Sequence, residues 1–347
     1  MALNIDLLKQ LCLVPGPPGG EEPVRQMILK EIEGLVDECS LDNMGNIIAV
    51  KKGKAPKKVM VAAHMDEISF IITHIDKQGF ARFHTLGGFD PKTFTAQRVI
   101  VHGKEDLVGV MGSKPIHLMT AEERNKAPKK QDYFIDFGMP GNRVKDIIRV
   151  GDKVTRERDF IELGDCVSTK SLDNRISVFI LIEVLKKMSQ PAYDFYAVFT
   201  VQEEIGLRGA QIAARQINPD FGFGLDTTIA NDLPSAAEHE YITQLGKGTA
   251  VKIMDSSVVT DSRMVRFMES LAEKYSIPHQ REILTGGGTD TAMVQRGGDG
   301  AIAGCVSIPT RHIHSVVEIC HKVDIQASID LLQKCVEEMD RFDYAWS

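Results

Sequence analysis

The chain has 347 residues, with 41 Lys and Arg against 48 Asp and Glu for a formal net charge of −7, 43% apolar residues and 29 glycines. This composition excludes disorder, collagen and coiled coil, and the length supports a large core and more than one domain. A mildly acidic chain with one Trp and no arginine-rich stripe also lacks the electrostatic footprint of a nucleic-acid binder.

Apolar stretches such as 178–185 and 301–308 fall short of the roughly 20 residues a membrane span needs. Residues 1–10 lack the basic leader, apolar core and cleavage site of a signal peptide and read as the start of an amphipathic helix. The expectation is a cytoplasmic protein with no membrane partner. Its cysteines (Cys12, Cys39, Cys166, Cys305, Cys320 and Cys335) form no C-x-x-C pair, which argues against a zinc ribbon, a redox site or a disulfide framework.

In chain order, a helix over 3–13 is followed by the breaker Pro15-Gly16-Pro17-Pro18-Gly19-Gly20 and a helix over 21–37, opened by Glu21, Glu22 and Pro23. Short runs rich in Ile and Val at 46–50 and 58–63 predict strands. From about 70 to 160, β-like pieces at 70–73, 80–83, 98–101, 107–111, 133–137 and 153–158 predict an all-β, barrel-like insertion. Residues 174–188 predict a helix apolar on most of its circumference and therefore buried. Strand 194–201, helix 206–217, strand 221–226, helix 261–274, strand 301–308 and helix 323–339 then follow. This α/β alternation implies a mainly parallel sheet covered by helices, with its site at the carboxyl ends of the strands. The expected division is a discontinuous domain of residues 1–70 and 163–347, split by a β-barrel at 71–162.

The residues just past the apolar strands are His64-x-Asp66-Glu67, Glu203-Glu204, Asp226 and Arg311-His312-Ile313-His314, and Asp173 heads the buried helix. A lone Asp or His after a strand usually serves a turn. A parallel sheet, however, gathers its strand ends along one edge, so these groups can converge there. Histidines mixed with carboxylates suit Zn²⁺, Co²⁺ or Mn²⁺ better than Mg²⁺ or Ca²⁺. The loop Gly286-Gly287-Gly288-Thr289-Asp290 lacks the Gly-Lys-Ser/Thr ending of a phosphate-binding loop, and Gly112-Ser113-Lys114 is spoiled for that role by Pro115.

These segments carry a resemblance. Pro15-Gly16-Pro17 with Gly20-Glu21-Glu22, Ala63-His64-Met65-Asp66-Glu67-Ile68, GVMGSKPIHL at 109–118, Ser171-Leu172-Asp173-Asn174-Arg175, residues 202–210 (QEEIGLRGA), Asp226-Thr227-Thr228, residues 286–290 (GGGTD) and residues 308–315 (IPTRHIHS) occur in the order found in one family. The chain resembles, nearly end to end, the M42 metallo-aminopeptidases, the tetrahedral and glutamyl aminopeptidase-like group whose members have also been labelled endoglucanases.

The resemblance implies a zinc-peptidase-like catalytic domain that hydrolyses N-terminal residues from short peptides with a pair of divalent ions, Zn or Co and potentially Mn. His64, Asp173 and Asp226 are implied to hold one ion, with Asp173 bridging, and Glu204 and His314 to complete the second. Glu203 is implied to be the base that activates a metal-bridging water, and Asp66 to orient His64 from its second nitrogen. A cis peptide between Asp173 and Asn174 is implied as well. Gly287, Gly288, Thr289, Asp290, Arg311 and His312 are expected at the substrate pocket. The family pattern further implies self-association, as a dimer through the inserted barrel and as a dodecamer. Open β edges in the insertion, a hazard if bare, give a physical reason for a partner subunit there. A glycanase is disfavoured because its chemistry needs no His64, Asp173 and His314 set, and a non-catalytic peptide binder because every expected ligand and Glu203 are present. The chain departs from the pattern at Ser69 and at Thr291-Ala292, positions next to the expected pocket.

Overall fold

In the computed structural model, which describes residues 3–234 and 236–346, the apolar run Ala55–His64 is an inner strand of an 11-stranded sheet. Met1, Ala2 and Ser347, at the ends of the expected catalytic domain, and Ser235 within it lie outside the described residues. Ala55–His64 pairs in parallel with Tyr193–Thr200 and with Phe221–Ile229, and Phe221–Ile229 pairs in parallel with Ile302–Arg311. Alternation along Ala55–His64 decides the layering. Val59, Val61 and Ala63 pack against Ile5–Leu13, Glu22–Ile32, Leu172–Lys187, Ser262–Lys274 and Lys322–Glu338, while Met60 and Ala62 face Arg208–Ile217 and Thr291–Gln295. Each large apolar side chain buried this way contributes about 1.5–3 kcal/mol.

The parallel order holds at the centre, where helical crossovers join the strands, and gives way at the flanks. Glu38–Leu41 and Ile47–Lys51 close one side antiparallel, and Glu318–His321, Cys166–Thr169 and Ile161–Leu163 close the other. Thr249–Met254 and His279–Ile283 branch from Ile302–Arg311. Most of these flanking strands are too short and too polar to register as apolar runs, and short links between neighbours permit antiparallel pairing. The helix expected over 21–37 stops at Ile32, because Gly34 takes φ +74° and turns the chain toward Glu38–Leu41. Among the described residues, no helix is long and apolar enough to cross a membrane.

The insertion is a closed barrel of strands in the order Ser69–Ile75, Ala81–Leu86, Tyr133–Asp136, Asp106–Ser113, Arg98–His102 and Lys153–Arg156. Its centre is an aromatic knot in which Phe70, Phe83 and Phe94 meet edge to face. Closure pairs every edge, so the expectation that bare edges call for a partner does not hold. Val108, Val110, Ile116 and Leu118 are nevertheless exposed on this unit. The barrel begins five residues past His64, and its last strand ends at Arg156, whose guanidinium reaches the carbonyl of His314.

Two glycines set the depth of the layer beneath Asp226. A Cβ on Gly224 would collide with the Thr291 hydroxyl and one on Gly222 with Val294, both in the short helix Thr291–Gln295. Gly224→Ala is expected to cost about 1–3 kcal/mol of stability by overpacking, read as a lower denaturation midpoint at unchanged slope.

Candidate metal centre

The carboxyl ends of the parallel strands bring the site together. His64 closes its strand opposite Thr200, so Glu203 and Glu204, which follow Thr200, lie beside it. Asp226 sits near the end of Phe221–Ile229, and His314 follows Ile302–Arg311. Asp173 comes from below, at the head of Leu172–Lys187, where Asp173 and Asn174 leave helical geometry and the peptide between them is cis. The Asn174 amide donates to the Leu225 carbonyl at 3.0 Å and ties this helix head to the strand of Asp226.

His64 Nε2 lies 3.3 Å from Asp173 Oδ1 and 3.7 Å from both Glu203 Oε2 and Asp226 Oδ1. His314 Nε2 lies 3.4 Å from Asp173 Oδ2 and 3.5 Å from Glu204 Oε2. Asp173 therefore presents one oxygen to each imidazole. Donor atoms of His64, Glu203 and Asp226, and those of His64, Asp173 and Glu204, form two groups whose members lie within 4.8 Å of one another.

Burial, reinforced by neighbouring carboxylates and opposed by His64, pushes Glu203 and Asp226 well above the usual carboxylate range. The same balance, with His314 as the chief opposing charge, raises Glu204 to about 8. Burial disfavours the charged imidazoles, yet the surrounding carboxylates prevail and hold His64 well above its ordinary value and His314 at about 9. For Asp173, burial is outweighed by hydrogen bonds from His314 and His64, which keep it below the usual aspartate range. Glu204 Oε1 is buried with no hydrogen-bond partner. So many buried acids around a pair of imidazoles, with an orphaned oxygen among them, fit divalent cations in a mixed nitrogen and oxygen environment.

These shifts predict how the metal-free protein responds to pH. Glu204 and Glu318 rise from 4.5 to about 8 on folding and His314 from 6.5 to about 9. In each case the folded state binds the extra proton across that interval, so stability falls as pH rises from about 5 to about 9. Asp173 has the opposite sign, but its contribution changes only below about pH 4. The melting temperature of chelator-stripped protein is therefore expected to drop through this window, and saturating Zn²⁺ to flatten the slope. A rising melting temperature would contradict it.

Fully buried carboxylates hold the site from behind through backbone N–H groups. The second nitrogen of His64 faces Asp66: Nδ1 lies 3.1 Å from the Asp66 carbonyl, its nearer acceptor, and 3.5 Å from the carboxylate. The Asp66 carboxylate accepts the amides of Glu203 at 3.0 Å and Glu204 at 3.2 Å, which makes it a positioning residue for both. Glu318, which the sequence did not single out, does the same on the other side: it accepts the amides of Asp173 at 3.0 Å and His314 at 2.9 Å. Glu67 is bound by Lys170 at 2.7 Å and the Ser171 hydroxyl at 2.5 Å. Burial opposes its charge, but Lys170 and Arg175 hold it down at about 2.

A cleft of about 680 Å³ opens over these groups, lined by His64, Asp173, Glu203, Glu204, Asp226 and His314. Gly287, Gly288, Thr289 and His312 also line it, where they were expected. Asp290 and Arg311 do not. Asp290 is buried behind the wall and takes the Thr200 hydroxyl at 2.5 Å. Arg311 is turned away to Asp232, which it grips with two nitrogens at 2.7 and 2.6 Å. Its partner stands 79 residues away in the chain, so local sequence gave no sign of the pairing.

The family model described as M42 glutamyl aminopeptidase matches residues 45–331. A putative aminopeptidase of Acetivibrio thermocellus is 37% identical over 332 residues, spanning 95% of this chain and 98% of the relative. A lysyl aminopeptidase of Pyrococcus furiosus is 33% identical over 346 residues, 98% of each chain. The TET1 peptidase of Pyrococcus horikoshii, reported to assemble into a tetrahedron or a large octahedral shell, superposes with a TM-score of 0.87 at 32% identity, covering 96% of this chain and 99% of that one.

Proposed function

The chain belongs to the M42 family of aminopeptidases, and from that premise we propose that it releases N-terminal residues from short peptides with a pair of divalent cations at the His64, Asp173 and His314 cluster. The observation that carries this reading is Asp173, whose oxygens lie 3.3 and 3.4 Å from different imidazoles, as a bridging carboxylate requires. His64, Asp173 and Asp226 would hold one cation, and Asp173, Glu204 and His314 the other. Zn, Co or Mn held there supplies the positive charge that lowers the pKa of a water and polarises a carbonyl.

The chain's own groups do the rest. Glu203 takes the proton of the attacking water and delivers it to the leaving amine. Asp66 aims Glu203 and Glu204 through their amides, and Glu318 aims Asp173 and His314. The loop Gly287, Gly288 and Thr289 forms one wall, where glycine lets a peptide backbone approach closely.

The proposal includes the division into a discontinuous catalytic unit and an inserted barrel that associates with a second copy of the chain. Val108, Val110, Ile116 and Leu118, exposed on the barrel, support that contact. The shell reported for the Pyrococcus horikoshii relative supports a closed assembly such as a dodecamer. A stable monomer in sedimentation at micromolar concentration would refute the association.

Chromophore release from aminoacyl-p-nitroanilides tests the activity. Turnover is expected to vanish on chelator stripping and to return with Zn²⁺, Co²⁺ or Mn²⁺. Chelator-resistant cleavage of cellulose oligomers without aminoacyl release would replace this reading with a glycanase.

A further inference from the structure

In an aminopeptidase the side chain of the released residue branches from the carbon between the free amine and the scissile carbonyl, so its pocket must adjoin the acid cluster. The cleft continues from Asp226 to Thr228, two positions along on the same face of Phe221–Ile229, and on to Lys252, with Leu284, Ile229 and Leu233 in the walls. Lys252 is the one Lys or Arg among the described residues lining the cleft. Its charge is already engaged. The fully buried ammonium lies 2.5 Å from Glu282 Oε1 and 3.5 Å from Asp255 Oδ2. Glu282 Oε1 also takes the Thr228 hydroxyl at 2.7 Å, and Asp255 Oδ2 takes the Thr289 hydroxyl at 3.2 Å. Glu282 Oε2 is buried with no partner.

One ammonium thus stands between paired carboxylates, and the pocket has no cation to spare for an incoming anion. A glutamyl side chain would meet an ammonium already shared between Glu282 and Asp255, and a lysyl side chain would press its ammonium against Lys252. Either ion would leave water without a free partner on the cleft lining, because Glu282, whose Oε2 is unpaired, and Asp255 stand behind Lys252 and do not line it, and that is costly, whereas an apolar side chain gains by covering Leu284, Ile229 and Leu233. We propose that the cleft selects peptides whose first residue is uncharged and apolar, as in Leu or Met, because Lys252 is neutralised within its own wall by Glu282 and Asp255. This inference rests on the aminopeptidase reading and specifies its substrate class.

The test compares kcat/KM of the cation-loaded protein on leucyl-, glutamyl- and lysyl-p-nitroanilide. Leucyl is expected to exceed each of the others by about 30-fold or more, the scale set by an unmatched buried charge. Glu282→Gln, which removes one of the carboxylates facing Lys252, is expected to raise the glutamyl-to-leucyl ratio by about tenfold. Product inhibition of the unmodified protein needs no variant to fold: free leucine is expected to inhibit at lower concentration than glutamate or lysine. A charged substrate within about 30-fold of leucyl, an unchanged ratio in folded Glu282→Gln, or equal inhibition by the free amino acids would overturn the inference and leave the aminopeptidase reading standing. Turnover of none of the three substrates would overturn that reading, and the inference with it.

Discussion

Glu203→Gln is expected to lower kcat by about 10²–10⁴-fold, the usual contribution of a general base, with little change in KM and no change in bound cation. The amide keeps the shape of the side chain and its neighbours but cannot accept a proton from water. Cation content is the decisive second reading, because Glu203 Oε2 is as close to His64 Nε2 as Asp226 Oδ1 is, both at 3.7 Å. Geometry alone would allow Glu203 to hold a cation with His64 and Asp226. If elemental analysis finds that Glu203→Gln has lost metal along with activity, Glu203 is a ligand and the base must be sought elsewhere in the cleft. If the metal stays and turnover goes, the assignment as base stands.

The residues that gather around Asp173 were legible because each follows a run of buried apolar residues, and such runs announce both a strand and its carboxyl end. His64 after 58–63 and Glu203-Glu204 after Tyr193–Thr200 are of this kind. The supports behind them were not legible, since they act on backbone amides and leave no spacing pattern. Glu318 opens a four-residue strand, too short to show a period, and reaches Asp173 across 145 positions of chain. Asp66 stands out in the sequence by its closeness to His64, yet its carboxylate is directed to the amides 137 and 138 residues further on. Arg311 misled for the converse reason, a cation in a motif whose charge is spent on Asp232.

The fold divides along the same line. Strands buried on both faces and the helix Leu172–Lys187 carry enough consecutive apolar residues to be read singly, whereas Cys166–Thr169, Ile161–Leu163 and Glu38–Leu41 become strands only because a neighbour offers an edge. The barrel was visible as a change of texture, but its closure depends on the pairing of Ser69–Ile75 with Lys153–Arg156, which are about 80 residues apart. No local pattern encodes that contact.

Asp173→Asn is expected to abolish turnover and to empty the centre of both cations, a larger effect than loss of either histidine. Asp173 alone among these carboxylates lies within 4.0 Å of both imidazoles, so its removal takes an anionic oxygen from each half of the site, whereas His314→Ala spares His64, Asp173 and Asp226. Elemental analysis after gel filtration should therefore give roughly no bound metal for Asp173→Asn and about half the content for His314→Ala. Full metal content in Asp173→Asn would remove the bridging role. The stripped variant supplies a check that needs no metal. Burial disfavours the charged form of His314, and Glu204 and Asp173 are the chief groups that outweigh it and hold its pKa at about 9. With the Asp173 charge gone, the pKa of His314 should fall back toward 6.5, visible as a shifted imidazole titration by NMR. An unmoved titration would mean that Glu204 and Glu318 set that proton and that Asp173 faces His314 without acting on it.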